Sequence, residues 1–328
     1  MITLKDIAER CGVSISAVSL AINKPHKISR VQKDKILRVA HELGYFINKQ
    51  PTIRKILLVF THFEDIYFGY YYNRVIFGIL DNLYREKVSI QILDNFDKIE
   101  YSEVYENNGI LFIGKTPQAY IDKALEFRMP FVLCGQPDPE NNYYALRFDI
   151  ERGVNEIMDY VVSCGHKKIG LLIKDPTVEK DTLNDIVLNT YKQGLTDNKI
   201  TLNPKMIGMC QHNNLHTIET ALNKLMDQGP TVIMCADDHL AYTSYRLLKK
   251  WGVSIPNDIS IVGLNGVEFP EYIEAPTPTL TTVFNDQINL GREAIIHLKK
   301  IIFNQPLEQK LHVLPIRLRV GDSVKRLR

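Results

Sequence analysis

With 328 residues, 45% of them hydrophobic, and ordinary Gly and Pro contents, the chain is long enough for two or three folded units, and its composition excludes a disordered or fibrous protein. Its strand-sized apolar runs exclude a membrane span. Its five scattered cysteines, with no Cys-x-x-Cys pair, argue against a disulfide framework, so we expect a cytoplasmic protein. Residues 1–55 carry a net charge of +7 and the remainder −5, which indicates a basic N-terminal module that binds a polyanion.

The N-terminal segment is predicted to form two short helices joined by a tight turn. Thr3 and Asp6 make a capping-box pattern, and Gly12 can adopt the positive φ that ends a helix. Ser14 is a candidate N-cap for a second helix over residues 15–23. The apolar positions of the first helix recur at i, i+3, i+4 and i+7. They are Leu4, Ile7, Ala8 and Cys11.

A third helix is indicated by Ser29 and Gln32, which form a second capping-box pattern, and it ends near Gly44. Its expected inward residues are Ile36, Leu37, Ala40 and Leu43. Those of the second helix are Val18, Ala21 and Ile22, which leaves that helix a small, mostly polar outward face. Two helices joined by a glycine-containing turn and supported by a third form a helix-turn-helix, whose second helix enters the major groove of DNA.

The residues of this segment closely resemble the head of LacI/GalR transcription regulators. The matching stretches are Thr3–Ala8, Cys11–Ser14, Ala17–Ser19, Ile22–Asn23 and Glu42–Tyr45. The resemblance implies that bases are read by Ile15, Ser16 and Leu20. It also implies that phosphates are contacted by Thr3, Ser14, Ser19, Asn23, Ser29 and Tyr45. Because Leu20 can contact a thymine methyl group but cannot bond guanine, we predict recognition with a substantial apolar component.

The segment after the head departs from that family. Members usually continue with an Ala-Arg-x-Leu pattern, which forms a hinge helix that wedges a leucine into the minor groove. Here the stretch is several residues shorter, and Pro51 disfavours a helix by removing an amide donor and restricting Gln50. We therefore expect domain 1–46 to be followed by a short, non-helical linker over residues 47–55.

Residues 56–328 alternate short apolar runs with amphipathic stretches, which predicts parallel β-α units arranged in doubly wound sheets. The predicted strands are 56–60, 88–93, 109–113, 131–134, 168–173, 232–235 and 259–262. The predicted helices are 73–85, 153–163, 218–226 and 240–251. The phosphate-binding patterns Gly-x-Gly-x-x-Gly and Gly-x-x-x-x-Gly-Lys-Ser/Thr do not occur, which removes the main support for a nucleotide enzyme.

This body also resembles that of LacI/GalR regulators, at Gly165–Gly170, Cys235–Asp238, Gly252–Gly263 and Pro278–Val283. The fold implied is α/β: a small all-α helix-turn-helix head followed by a two-lobed periplasmic-binding-protein-like domain. Lobe 1 is expected at about 56–149 plus 284–312 and lobe 2 at about 150–283 plus 313–328. The chain would cross near 148–151, 280–284 and 312–318. The resemblance further implies a homodimer, which paired DNA half-sites also favour.

In such sheets ligands bind beyond the carboxyl ends of the strands. The candidate effector-binding residues at or near these ends are His62, Tyr67, Phe68, Asp149, Asp237 and Asn265. Two family positions differ here. Asn265 stands where many members have an aspartate, and the stretch 187–191 lacks an arginine that often occurs there. Without these two charges, the chain lacks the charge-assisted hydrogen bonds by which many members bind sugar hydroxyls or a purine.

A cluster of Cys235, Asp237, Asp238 and His239 suggests a metal or catalytic site. Side chains alternate along a strand, however, so these four cannot all converge, and Asp237 is better interpreted as an effector ligand. His166 has no recognisable nucleophile partner and is predicted to be structural. We therefore predict no catalytic residue, no cofactor and no metal site.

These patterns predict a DNA-binding regulator, more often a repressor in such families, that binds a double-stranded operator and is controlled by a small carbohydrate-like effector between two lobes. Two alternatives stay open. One is an enzyme with a DNA-binding head, for which Asp149 with Asp237 is the candidate pair. The other is a regulator with a degenerate cleft that responds to a partner protein.

Overall fold

A computed structural model of the chain describes residues 2–45, 53–60, 69–135, 142–178, 182–267 and 279–327. Most of the predicted linker lies outside these ranges, so its predicted non-helical conformation stays a prediction. The first three helices are α1 (Leu4–Cys11), α2 (Ile15–Asn23) and α3 (Arg30–Glu42). Their boundaries agree with the predicted ones.

The three helices of the head are defined by the predicted caps. Thr3 and Asp6 bond reciprocally at the start of α1, and Gly12 ends that helix with φ of 67°. Ser14 and Ser29 cap α2 and α3 by accepting amide hydrogen bonds from Ala17 and Gln32. The helices enclose a small apolar core, whose buried members are Ile7, Ala8, Cys11, Val18, Ala21, Ile36 and Ala40.

The first sheet of the body has six strands in the order β11-β5-β4-β3-β1-β2. They are β1 (Lys55–Phe60), β2 (Ser89–Leu93), β3 (Gly109–Ile113), β4 (Phe131–Cys134), β5 (Ala145–Phe148) and β11 (Leu311–Leu314). The pairs β1–β2, β1–β3, β3–β4 and β4–β5 are parallel. The associated helices are α4 (Tyr70–Leu83), α5 (Tyr101–Tyr105), α6 (Gln118–Glu126) and α11 (Gln287–Ile302).

The second sheet has the order β12-β10-β9-β8-β6-β7. Its strands are β6 (Ile169–Lys174), β7 (Ile207–Cys210), β8 (Val232–Cys235), β9 (Ser260–Asn265), β10 (Thr281–Asn285) and β12 (Ile316–Arg319). All neighbours are parallel except β10 and β12. The helices that accompany it are α7 (Ile150–Ser163), α8 (Thr182–Asp197), α9 (Leu215–Met226) and α10 (Asp238–Lys250).

These two sheets belong to two compact units, which confirms the predicted α/β class with a helical head. The head and most of the first sheet form one unit, whose body part we call lobe 1; the second sheet and its helices form the other, lobe 2. The chain passes between units after Leu146, Leu290 and His312, and the start of α4 up to Val75 groups with lobe 2. The strands β5, β7, β10, β11 and β12 were not among the predicted ones.

Within the first unit, the head packs directly against lobe 1. Leu37 of α3 is only 1% exposed and belongs to the apolar core of lobe 1, with Leu57, Phe96 and Tyr101 among its members. The sequence predicted that Leu37 would be buried, and it is, but in the core of lobe 1 rather than in the core that the head helices share. The head is therefore attached to lobe 1 by buried apolar surface.

Ion pairs surround this contact. They join Arg30 to Glu100 (2.5 Å) and to Glu103, Lys33 to Glu106 (2.6 Å), and Arg38 to Glu126 (3.9 Å). The Arg38 guanidinium also lies 5.5 Å from the centre of the Tyr101 ring. Three of the basic residues that give the N-terminal segment its charge are thus paired with glutamates of lobe 1, so the net charge of the segment overstates the charge available to DNA.

Replacing Leu37 by alanine should lower the free energy of unfolding by about 2–5 kcal/mol, because it removes a fully buried side chain from a packed core. Val31→Ala is the matched control: Val31 lies on the same helix but is largely exposed, and its loss should change stability by no more than about 0.5 kcal/mol. Urea unfolding followed by circular dichroism measures both. Equal stabilities for the two variants would contradict the head–lobe 1 contact.

Candidate DNA-binding and effector sites

Helix α2 presents the residues predicted to read DNA bases. Val18 and Ala21 are buried against α1 and α3, so the opposite side of the helix faces outward. Ile15 is 50% exposed, Ser16 is exposed and Leu20 is half-buried. The three predicted base-reading side chains are therefore accessible on a rigid helix, as direct readout in a major groove requires.

Three of the residues predicted to contact phosphates are N-caps. Thr3, Ser14 and Ser29 each precede a helix of the head, where the first amide groups and the helix dipole favour an anion. The other three lie nearby in sequence. The Asn23 amide donates to the Ser19 hydroxyl at 3.3 Å, and Tyr45 follows Gly44, which has φ of 74°. The structure shows where these side chains lie; their contacts with DNA stay a prediction.

Lobe 2 contains a small pocket of about 90 Å³ beside the carboxyl ends of β6, β8 and β9. Its lining residues are Ile150, Lys174, Leu183, Asn184, Val187, Ala236, Asp237, Leu264 and Asn265. Two of the predicted effector residues, Asp237 and Asn265, thus lie together at this pocket, and their role in effector binding stays a prediction. The polar residue that sequence reasoning missed is Asn184, which lies on α8, a helix that the sequence did not predict.

Asp237 is the central acid of this pocket. It is the N-cap of α10, where its Oδ1 accepts the Leu240 amide at 2.8 Å. Its Oδ2 lies 2.8 Å from His212 Nε2. Burial opposes ionisation of the carboxyl, but the His212 imidazole and, more weakly, Lys174 and His239 hold its pKa well below the usual range. Asp237 is therefore a pre-oriented, negatively charged acceptor.

Two asparagines define the polar edge of the pocket. Asn265 has φ of 102°, an uncommon conformation for a residue other than glycine, and its Oδ1 accepts a bond from Asn285 at 3.0 Å. Asn184 bonds both backbone groups of Lys174, donating to its carbonyl at 2.9 Å and accepting from its amide at 3.2 Å. These bonds hold the end of β6 and the turn after β9 in place.

Asp149, another predicted effector residue, is not among the residues that line this pocket. Asp149 is the N-cap of α7 and accepts the Arg152 amide at 3.2 Å; its neighbour Ile150, not Asp149 itself, is among the pocket-lining residues. His62, Tyr67 and Phe68 fall outside the described residues, so their predicted role is untested.

The four residues of the suspected metal or catalytic cluster do not all converge. Cys235 is fully buried in the sheet, and burial raises the pKa of its thiol. Asp238 points into the core, where it accepts from Thr282 Oγ1 at 2.6 Å and from the Val267 amide at 2.5 Å; burial raises its pKa. The remaining pair, Asp237 and His239, is joined by His212, and one ligand atom from each of the three lies within 4.8 Å of the others. Sequence reasoning missed His212, the third member, because it is 25 residues away from Asp237.

His166 has the structural role that the sequence predicted. Its ring is fully buried, with Nδ1 2.9 Å from Thr231 Oγ1 and Nε2 2.9 Å from the Lys325 carbonyl oxygen. Burial lowers its pKa, so the ring is held neutral. It joins the end of the chain to the sheet of lobe 2.

Comparison with known proteins shows which family the chain that carries these two sites belongs to. Residues 3–48 match the family model of bacterial regulatory proteins of the lacI family, and residues 158–324, just over half of the chain, match that of the periplasmic binding protein-like domain. The chain is a member of the LacI family. Like the other members it matches, it is a DNA-binding transcription regulator rather than an enzyme, so the enzyme alternative built on Asp149 and Asp237 is not supported.

Relatives of the chain cover it almost completely. It is 28% identical over 320 residues to the HTH-type transcriptional regulator GanR of Bacillus subtilis, covering 90% of this chain and 91% of GanR. The transcriptional regulator CelR in complex with cellobiose has the same fold, with a TM-score of 0.71, 20% identity and coverage of 98% and 100%. The lac repressor dimer bound to operator and the anti-inducer ONPF has a TM-score of 0.69, 18% identity and coverage of 99% for both chains.

Membrane insertion finds no support in the described part of this LacI-family chain. Its helices there are too short or too polar to cross a bilayer.

Proposed function

We propose that this LacI-family protein is a homodimeric repressor that binds an operator through α2 and is controlled by a small carbohydrate-like effector at the lobe 2 pocket. The observation that carries the proposal is the outward face of α2, supported from behind by buried Val18 and Ala21 and preceded by the Ser14 cap. A rigid helix with accessible Ile15, Ser16 and Leu20 is suited to groove readout.

Affinity for DNA is expected to come from cap hydroxyls and helix N-termini as much as from free cations. Arg30, Lys33 and Arg38 are engaged by glutamates of lobe 1, while Thr3, Ser14 and Ser29 stand at helix starts. A contact between a phosphate and an Arg or Lys side chain releases a counterion from the DNA, whereas a contact with a neutral donor does not. The salt dependence of binding should therefore be modest but measurable. An affinity for duplex DNA that does not change with salt would contradict the proposal.

Leu20→Arg should change the preferred base at the position that α2 reads, because a guanidinium can donate two hydrogen bonds to guanine, worth about 1–3 kcal/mol of discrimination. Selection from randomised duplexes measures the preference of each variant. Val31→Arg adds the same charge to an exposed site on α3 and should leave the preference unchanged. An identical preferred sequence for wild type and Leu20→Arg would contradict the assigned role of α2.

The homodimer is supported by an exposed apolar strip on lobe 1. Phe77 and Leu80 of α4 and Tyr84 just after it follow the i, i+3, i+7 spacing, and all are exposed. Ile92 on β2, the strand at the edge of the first sheet, is exposed as well. An apolar helix face of this kind matches the core of a two-fold interface, and the lac repressor, which has the same fold, is a dimer on its operator.

Leu80→Asp should convert the dimer to a monomer at micromolar concentration, because it would place a desolvated charge in the apolar contact. Leu125→Asp is closely matched: Leu125 also lies on a helix of lobe 1 and is 47% exposed against 48% for Leu80, but it is outside the strip. Sedimentation equilibrium distinguishes the two. If the Leu80→Asp variant remains a dimer, as the Leu125→Asp variant should, the interface lies elsewhere.

The effector is proposed to be carbohydrate-like because the pocket combines hydrogen-bond acceptors and donors, and a sugar hydroxyl can bond to both. Asp237 is an ionised acceptor, Lys174 contributes an ammonium group, and Asn265 an amide. Leu183, Val187 and Leu264 line the rest with apolar surface, which suits the C–H faces of a sugar ring. CelR, which shares the fold, was solved with cellobiose. Differential affinity of the effector for two states of the protein would then change operator affinity.

A thermal-shift panel of sugars, sugar phosphates and nucleosides should find compounds that raise the melting temperature, since a ligand that binds the folded state stabilises it. Asp237→Asn should weaken the affinity for such a compound about tenfold or more, because a hydrogen bond to a charged group contributes about 1.5–3 kcal/mol. Asn preserves the cap of α10. The control is Asp227→Asn, at an exposed site after α9. If no compound stabilises the protein, the alternative of a regulator that responds to a partner protein gains support.

A further inference from the structure

Three side chains of lobe 2, one of them distant in sequence from the other two, come together beside the effector pocket. His212 follows β7, while Asp237 and His239 stand at the start of α10, directly after β8. One ligand atom from each lies within 4.8 Å of the other two, and the His212 and His239 rings are 4.7 Å apart, centre to centre, at an angle of 43°. Nothing else in the chain's proposed function uses the two histidines.

We propose that His212, Asp237 and His239 form a binding site for a divalent transition-metal ion of the Zn²⁺ or Co²⁺ type. Two imidazoles and one carboxylate are a donor set that such ions prefer, because they combine borderline nitrogen ligands with one anionic oxygen. The set has three protein ligands, which leaves coordination positions open for water or for another molecule.

The geometry needs little change to accept an ion. His212 Nε2 and Asp237 Oδ2 are 2.8 Å apart, close to the separation of two ligand atoms that subtend a right angle at an ion with bonds of about 2.0–2.1 Å. His239 supplies the third ligand atom, which lies within 4.8 Å of the other two and would move closer to them when an ion binds. The ion would replace the proton through which His212 now bonds Asp237.

The ligands are held firmly and remain reachable. The other oxygen of Asp237 is bonded to the Leu240 amide, and His239 lies in the first turn of a 13-residue helix, so both are oriented before an ion arrives. His212 and Asp237 keep 21% and 14% of their side-chain surface exposed, which provides an entry path. The thiol of Cys235 is buried in the sheet and plays no part in the site.

The ion would also extend what the pocket can bind, a consequence that rests on the proposed effector site. Asp237 is the one carboxylate among the pocket-lining residues, and it is shared with the metal set. An ion there would direct its open positions toward oxygen atoms of a bound effector.

The test uses untagged full-length protein treated with EDTA, without DNA or effector. Titration with Co²⁺ followed by visible absorption, and with Zn²⁺ by calorimetry, should show one ion per chain. We expect metal affinity to fall at least about tenfold in each of three variants: His212→Ala, His239→Ala and Asp237→Asn. Removing a residue that only hydrogen-bonds to a metal ligand already lowers affinity by about 10–100-fold, so losing a ligand should cost at least as much. His216→Ala, at an exposed histidine of α9 in the same lobe, should bind as wild type does.

Three results would overturn the metal site. The first is a wild-type protein that binds no ion, and the second is a set of three variants that bind it as tightly as His216→Ala does. The third is stabilisation of wild type, but not of the histidine variants, by inorganic phosphate in the absence of any metal affinity, which would make the cluster an anion site. Circular dichroism spectra confirm that each variant is folded. Operator affinity is measured separately, so failure of the metal site leaves the proposed repressor function intact.

Discussion

In lobe 2 everything of chemical interest depends on one constraint: parallel strands end at the same edge of their sheet. Because β6, β7, β8 and β9 are parallel neighbours, residues at or just after their carboxyl ends meet although they are as distant in sequence as Lys174 and Asn265. Lys174, His212, Asp237 and Asn265 all reach this edge within two residues of a strand end. The pocket and the histidine cluster are both products of this convergence.

Asp237 is the residue in which these roles combine. One of its oxygens caps α10 and the other faces His212, so the carboxylate is oriented by the fold before any ligand is bound. Its neighbour Asp238 has a different environment, since it is buried and accepts from Thr282 and the Val267 amide, and burial raises its pKa. Two adjacent aspartates therefore serve different purposes, one at the pocket and one in the packing behind it.

The head shows how a charge count can mislead when tertiary contacts are unknown. The basic residues of α3 suggest a surface for DNA, yet Arg30, Lys33 and Arg38 pair with glutamates of lobe 1, and Leu37 enters the core of that lobe. Exposed ion pairs contribute little stability individually, so the buried leucine provides most of the attachment. The face of α2 stays accessible in this arrangement, which leaves the base-reading side chains free to meet a groove.

The amino-acid sequence by itself determined the features that depend on near neighbours. The caps at Thr3, Ser14 and Ser29, the bounds of α1 and α2, the alternation of long strands and helices, and the position of Asp237 at a strand end all follow from local spacing and propensity. Only the tertiary structure decided which distant residues meet: His212 with Asp237, Asn184 with the end of β6, and Leu37 with the core of lobe 1. The physical reason is that strand order and helix packing bring together residues whose separation in sequence carries no signal of their proximity.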